Sequence, residues 1–98
     1  MPDLAEVMEA IAEAGGYLRI EGERLALLLP EENLGLKEEA ARWGQALALL
    51  TLEAPRAELS PRLLAVLADA ARRWGLPGAL LVVQRLRLEL GGLPSPQA

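Results

Sequence analysis

The stretch GGYLRIEGERLALLLP, residues 15–30, sets the frame for everything around it. Two short apolar runs flank Gly22-Glu23, a two-residue turn of the type that places glycine first. In that register Glu21 faces Arg24, Ile20 faces Leu25, Arg19 faces Ala26, Leu18 faces Leu27 and Tyr17 faces Leu28. Side chains alternate across a strand, so Leu18, Ile20, Leu25, Leu27 and Leu29 form an inward face. Tyr17, Arg19, Glu21, Arg24, Ala26 and Leu28 form the outward one. Pro30 has no N–H to donate to a ladder and ends the second strand. A two-stranded hairpin is marginal alone in water and carries two unpaired edges. The rest of the chain must therefore supply a layer beneath it, and something must meet its edges.

Helical periodicity supplies that layer. Asp3 begins a helix over 3–14, with Glu6 at the capping-box spacing. Leu4, Val7, Met8 and Ile11 make one apolar stripe, and Gly15-Gly16 closes the helix. A second helix is expected over 36–52, after a loop at 31–35. Its Leu36, Ala40, Trp43, Leu47 and Leu50 repeat at spacings of 4, 3, 4 and 3, the a/d seam of a coiled coil. Gly44 inside that helix costs about 1 kcal/mol relative to alanine unless a closely approaching neighbour needs the space. Trp43, Gly44, Leu47 and Leu50 are therefore candidates for a seam with a second copy of the chain.

Ser60 as cap and Pro61 at the first helical position start a helix over 61–74, with Leu64, Leu67, Ala71 and Trp74 on its apolar stripe. Gly75 and Pro77 are expected to close it. Residues 78–90 fit two patterns. RLRLEL alternates like a strand, whereas Leu80, Val83, Leu86 and Leu90 suit a helix; length and composition favour the helix. The tail over 93–98 is expected to be disordered. The fold class that follows is α+β, mainly helical, in the order α-β-β-α-α-(α), as a single domain over 1–92.

A chain of 98 residues holds one small domain, and its 52% apolar content is that of a globular protein. The net charge of −4 argues against a general nucleic-acid binder, which carries a basic footprint. The charge is divided: residues 1–59 hold twelve acids and five bases, residues 60–98 two acids and five bases. Two such halves attract each other, within one chain or across a dimer. The N-terminus has no basic region followed by an apolar core, so no secretory signal is read there. No apolar run reaches the length of a membrane span. The expected location is cytoplasmic.

Catalysis is not expected. The chain has no histidine and no cysteine, which removes the commonest general base, nucleophile and soft metal ligands. Ser60 is explained as a helix cap. The adjacent acids Glu31-Glu32 and Glu38-Glu39 complement a helix N-terminus. No glycine-rich loop with a following Lys-Ser/Thr is present to cradle a phosphate, and no cofactor or metal is expected. The basic residues Arg72, Arg73, Arg85 and Arg87 flank GLPG between two expected helices, the outline of a helix-turn-helix. The second of those helices offers Gln84, Arg85 and Arg87 but is otherwise apolar, unlike a helix that reads base edges.

The first half also resembles a known pattern: the N-terminal docking domain of hybrid peptide/polyketide synthetase subunits, of the tubulysin-synthetase type. The residues concerned are Leu4 and Met8 to Ile11, Gly15, Leu18, Gly22 ahead of Leu25, Pro30, and Leu47 with Leu50. The match covers about residues 4–52. A lysine that the family carries late in its second helix corresponds to Gly44 here. The resemblance implies an α-β-β-α-α fold, a homodimer, and a hairpin that docks a short linear segment of a partner, received by the hairpin face with Arg19 and Arg24.

The expected function is thus a small non-catalytic protein-interaction module, homodimeric, using the hairpin face or edge. Its partner-binding residues would be Tyr17, Arg19, Arg24, Ala26 and Leu28. The alternative is a nucleic-acid-binding regulator in which Arg72, Arg73, Arg85 and Arg87 of a C-terminal αα-hairpin meet an anionic partner.

Overall fold

The computed structural model describes residues 2–90; the tail expected over 93–98 lies outside them. The order is α1 (Leu4–Glu13), β1 (Tyr17–Glu21), β2 (Arg24–Leu28), α2 (Leu34–Arg42), α3 (Gly44–Glu53), a 3₁₀ turn (Pro55–Ala57), β3 (Glu58–Leu59) and α4 (Pro61–Leu90). This is a mainly helical α+β fold with an antiparallel hairpin packed on helices.

Local chemistry accounts for most element ends. The Asp3 carboxylate accepts from the Glu6 N–H at 2.9 Å, while Glu6 accepts from the Asp3 N–H at 2.9 Å, a reciprocal capping box. Gly15 ends α1 at φ +75°, a conformation that glycine adopts without steric cost. Gly22 takes φ +65° in the hairpin turn. The β1–β2 register is the one that the turn dictates, from Glu21 opposite Arg24 to Tyr17 opposite Leu28.

Met8 and Ile11 of α1, Leu18 of β1, Leu47 and Leu50 of α3, Leu59 of β3, and Leu64, Leu67 and Val83 of α4 are fully buried in one cluster. Leu25, Leu27 and Leu29 pack against it from the hairpin. Each such side chain contributes roughly 1.5–3 kcal/mol by leaving water. Thr51 is the one polar side chain buried among the described residues. Its hydroxyl donates to the Leu47 carbonyl at 2.6 Å, which removes the cost of an unpaired group. No described helix is long and apolar enough to cross a membrane.

Three local expectations differ from the structure. The helix expected over 36–52 is two helices. Asn33 caps the first, its side-chain oxygen accepting from the Leu36 N–H at 3.0 Å, so the helix begins at Leu34. Trp43 then leaves helical geometry (φ −104°, ψ 21°), and its indole N–H donates to the Pro2 carbonyl at 3.2 Å. That bond is long-range, and no helical periodicity reports it.

The hairpin does not have two free edges. Glu58 and Leu59 pair with β1, Leu59 opposite Leu18 and Glu58 opposite Arg19, which makes β1 the central strand of the order β2-β1-β3.

Gly75 breaks the helix after Trp74, as expected, but no loop follows: a second helical limb starts directly, with Pro77 inside it. Residues 78–90 are helical, and only Gly75 departs from helical geometry within α4, at φ 75° and ψ −173°. Pro77 then falls in the first turn of the second limb, where its missing N–H has no intrahelical partner to lose.

Candidate functional site

The open side of the sheet is β2. β3 covers the outer edge of β1, and no described strand pairs with the outer edge of β2. In a two-residue hairpin the closing pair, here Glu21 and Arg24, exchanges hydrogen bonds inward, and so does every second pair along the ladder. The intervening residues Leu25 and Leu27 therefore direct their backbone N–H and C=O groups to the free edge.

Beneath that edge lies a groove of about 620 Å³. Leu18, Leu25 and Leu27 form its sheet side. Its other wall comes from the end of α2 and the start of α3: Lys37, Ala40, Ala41, Gly44 and Gln45. The helix break at Trp43 and the small side chains around it leave this space. A Cβ added to Gly44 would meet nothing within 4 Å. Gly44 is thus not explained by a closely packed helix of the same chain; it borders the groove.

Of the expected hairpin residues, Tyr17 and Leu28 stand exposed on the outer face, with Arg24 exposed at the turn end. Ala26 and Arg19 are half-buried side by side across the ladder. Arg19 is held by Glu21 at 2.6 Å. Arg24 and Lys37, by contrast, have no acidic partner within 4.0 Å among the described residues. Lys37 is thus an unpaired cation in the lining of the groove, and Arg24 a second one on the opposite face of β2, on a chain that is acidic in total.

The proposed seam of the second helix is used differently. Leu47 and Leu50 are enclosed in the chain's own core, and Trp43 is half-buried against Pro2. Leu47 and Leu50 are thus occupied within one chain, while Trp43 and Gly44 stay partly exposed.

The four C-terminal arginines do not form an uncompensated basic patch either. Arg72 pairs with Glu9 at 2.6 Å, Arg73 with Asp69 at 3.2 Å, Arg85 with Glu89 at 3.1 Å and Arg87 with Glu53 at 3.6 Å. Two of these pairs join the basic C-terminal half to the acidic N-terminal half within one chain. Among the described residues no group of three or more His, Cys, Asp or Glu side chains is placed to hold a metal ion.

Sequence reasoning found the hairpin face but not the groove. The available signal was the run of small residues Ala40, Ala41 and Gly44, which leaves room wherever a helix crosses a sheet. Comparison of the chain with protein-family models, with curated proteins and with solved structures finds no match.

Proposed function

We propose that this chain is a non-catalytic docking module that takes an extended segment of another protein along β2. The observation that carries the reading is the coincidence of a free strand edge with an apolar groove directly beneath it. Strand addition supplies main-chain hydrogen bonds, and alternate side chains of the guest supply specificity. Here the alternate side chains would drop between Leu25 and Leu27 on one side and Ala40, Ala41 and Gly44 on the other. The unpaired Arg24 and Lys37 favour acidic residues flanking the apolar ones. The resemblance of residues 4–52 to synthetase docking domains points to the same hairpin. The paired state of Arg72, Arg73, Arg85 and Arg87 makes the nucleic-acid reading the weaker one.

The test uses an edge-blocking substitution. Proline at position 25 removes an outward N–H and leaves the inward ladder to β1 in place. A displayed random-peptide library is panned on the wild-type chain, and the enriched peptides are measured on Leu25→Pro and on Arg24→Glu/Lys37→Glu. The expected peptides alternate apolar residues, carry flanking acids, and lose binding to both variants while the circular dichroism spectrum is kept. Peptides that bind Leu25→Pro as well as wild type would overturn the reading.

A further inference from the structure

The groove beneath β2 does not end at Gly44. A second cavity of about 530 Å³ opens on the other side of the α2–α3 break. Ala41, Gly44 and Gln45 line both cavities, so these three residues form a saddle between them. The missing side chain at Gly44 keeps the saddle open, since a Cβ there would meet nothing within 4 Å. Beyond it, the second cavity is bounded by Arg42, Trp43, Leu49 and Leu76. Trp43 is held in place by its bond to the Pro2 carbonyl at 3.2 Å. Leu49 is 48% exposed and takes no part in the core.

The two cavities share a charge pattern. Each is lined by one cation, Lys37 in the first and Arg42 in the second. Neither cation has an acidic partner within 4.0 Å among the described residues. No acid lines either cavity, although the chain holds fourteen. A place in the last turn of α2 suits Arg42 by itself. It does not explain why both cavities exclude acids on so acidic a chain. Acidic residues supplied by a guest would explain it.

We infer that the guest segment is longer than the strand that pairs with β2, an inference that rests on the reading of β2 as the docking edge. Past that strand, about three further residues, which span roughly 10 Å when extended, cross Gly44. One drops a bulky apolar side chain between Trp43, Leu49 and Leu76, and a neighbouring acid meets Arg42. Trp43 and Leu76 already pack against the core, so little side-chain freedom is lost when the guest covers them. The guest is a two-part acidic and apolar peptide: a strand read beneath β2, and an anchor read past Gly44.

Peptides enriched on the wild-type chain from a displayed random library are measured whole and cut back one residue at a time from either end, with binding read by fluorescence anisotropy. Whole peptides are expected to bind Arg42→Glu and Leu49→Glu about tenfold more weakly than wild type, with the circular dichroism spectrum kept. Lysine in place of the guest's anchoring acid is expected to restore binding to Arg42→Glu. Peptides cut back from the anchoring end are expected to weaken on wild type and then to bind wild type and both variants alike. Leu25→Pro is expected to abolish binding of whole and shortened peptides. Whole peptides that fail on Leu25→Pro but bind Arg42→Glu and Leu49→Glu at wild-type strength would overturn the longer guest and leave β2 docking standing. Peptides indifferent to Leu25→Pro, or a library without binders, would overturn both. A wild-type dimer in light scattering that Leu49→Glu dissociates would give the second cavity to another copy of the chain and overturn the proposal.

Discussion

Leu59 stands directly across the sheet from Leu18, and both side chains are fully enclosed. This single pair changes what the hairpin is. It converts a two-stranded unit with two open edges into a three-stranded sheet whose one long free edge is β2, and it ties the start of α4 to the sheet. Replacing Leu59 with alanine removes that tie and leaves a cavity in a packed core, which is expected to cost about 2–5 kcal/mol. Urea denaturation would register this as a lower midpoint with an unchanged slope.

The two N-terminal helices depend on single capping side chains. Asn33 holds the Leu36 N–H, and Asp3 holds that of Glu6. Asn33→Ala and Asp3→Ala are each expected to destabilise the fold by about 0.5–2 kcal/mol, read as a lower thermal midpoint. Serine at either position should recover most of the loss, because its hydroxyl accepts the same bond.

Two helical glycines are expected to respond in opposite ways. Gly78→Ala drives a Cβ into Trp74 close to its backbone, where the side chain cannot simply swing aside. The expected cost is about 1–3 kcal/mol from overpacking, although alanine is the better helix former. Gly44→Ala meets open space and is expected to stabilise the fold by about 0.4–1 kcal/mol. It also narrows the groove beneath β2, so peptide affinity should fall while the thermal midpoint rises. A rise in both would count against the groove as the docking site.

The link between α3 and β3 is strained. Arg56 and Ala57 both sit at positive φ, 59° and 55°, where a Cβ crowds the following carbonyl at roughly 1–2 kcal/mol per residue. Glycine at position 57 relieves that crowding but gives the unfolded chain more freedom, worth about 0.4–1 kcal/mol. Ala57→Gly is therefore expected to be neutral to stabilising, by up to about 1 kcal/mol. A denaturation midpoint that fell markedly would show that the strain is absorbed elsewhere.

Local patterns in the sequence were enough for α1 and its capping box, for the register of β1 with β2, and for the inward and outward faces of that hairpin; over 78–90 they favoured a helix but also fitted a strand. Each rests on residues within a few positions of one another: a cap and the N–H three residues on, a turn glycine and the pairs that it aligns, an apolar repeat. What tertiary structure decided is what joins residues distant in the chain. β3 is two residues long and has no period to read; it exists because Leu59 completes the layer over Leu18. The break at Trp43 depends on the Pro2 carbonyl, and the groove on the meeting of residues 18–27 with residues 37–45. In α4 leucines lie on two sides of the helix, one through Val83 and one through Leu81, and their density alone does not say which side is inside. Packing buried the first and left the second facing solvent, because only one side of a helix can reach the core.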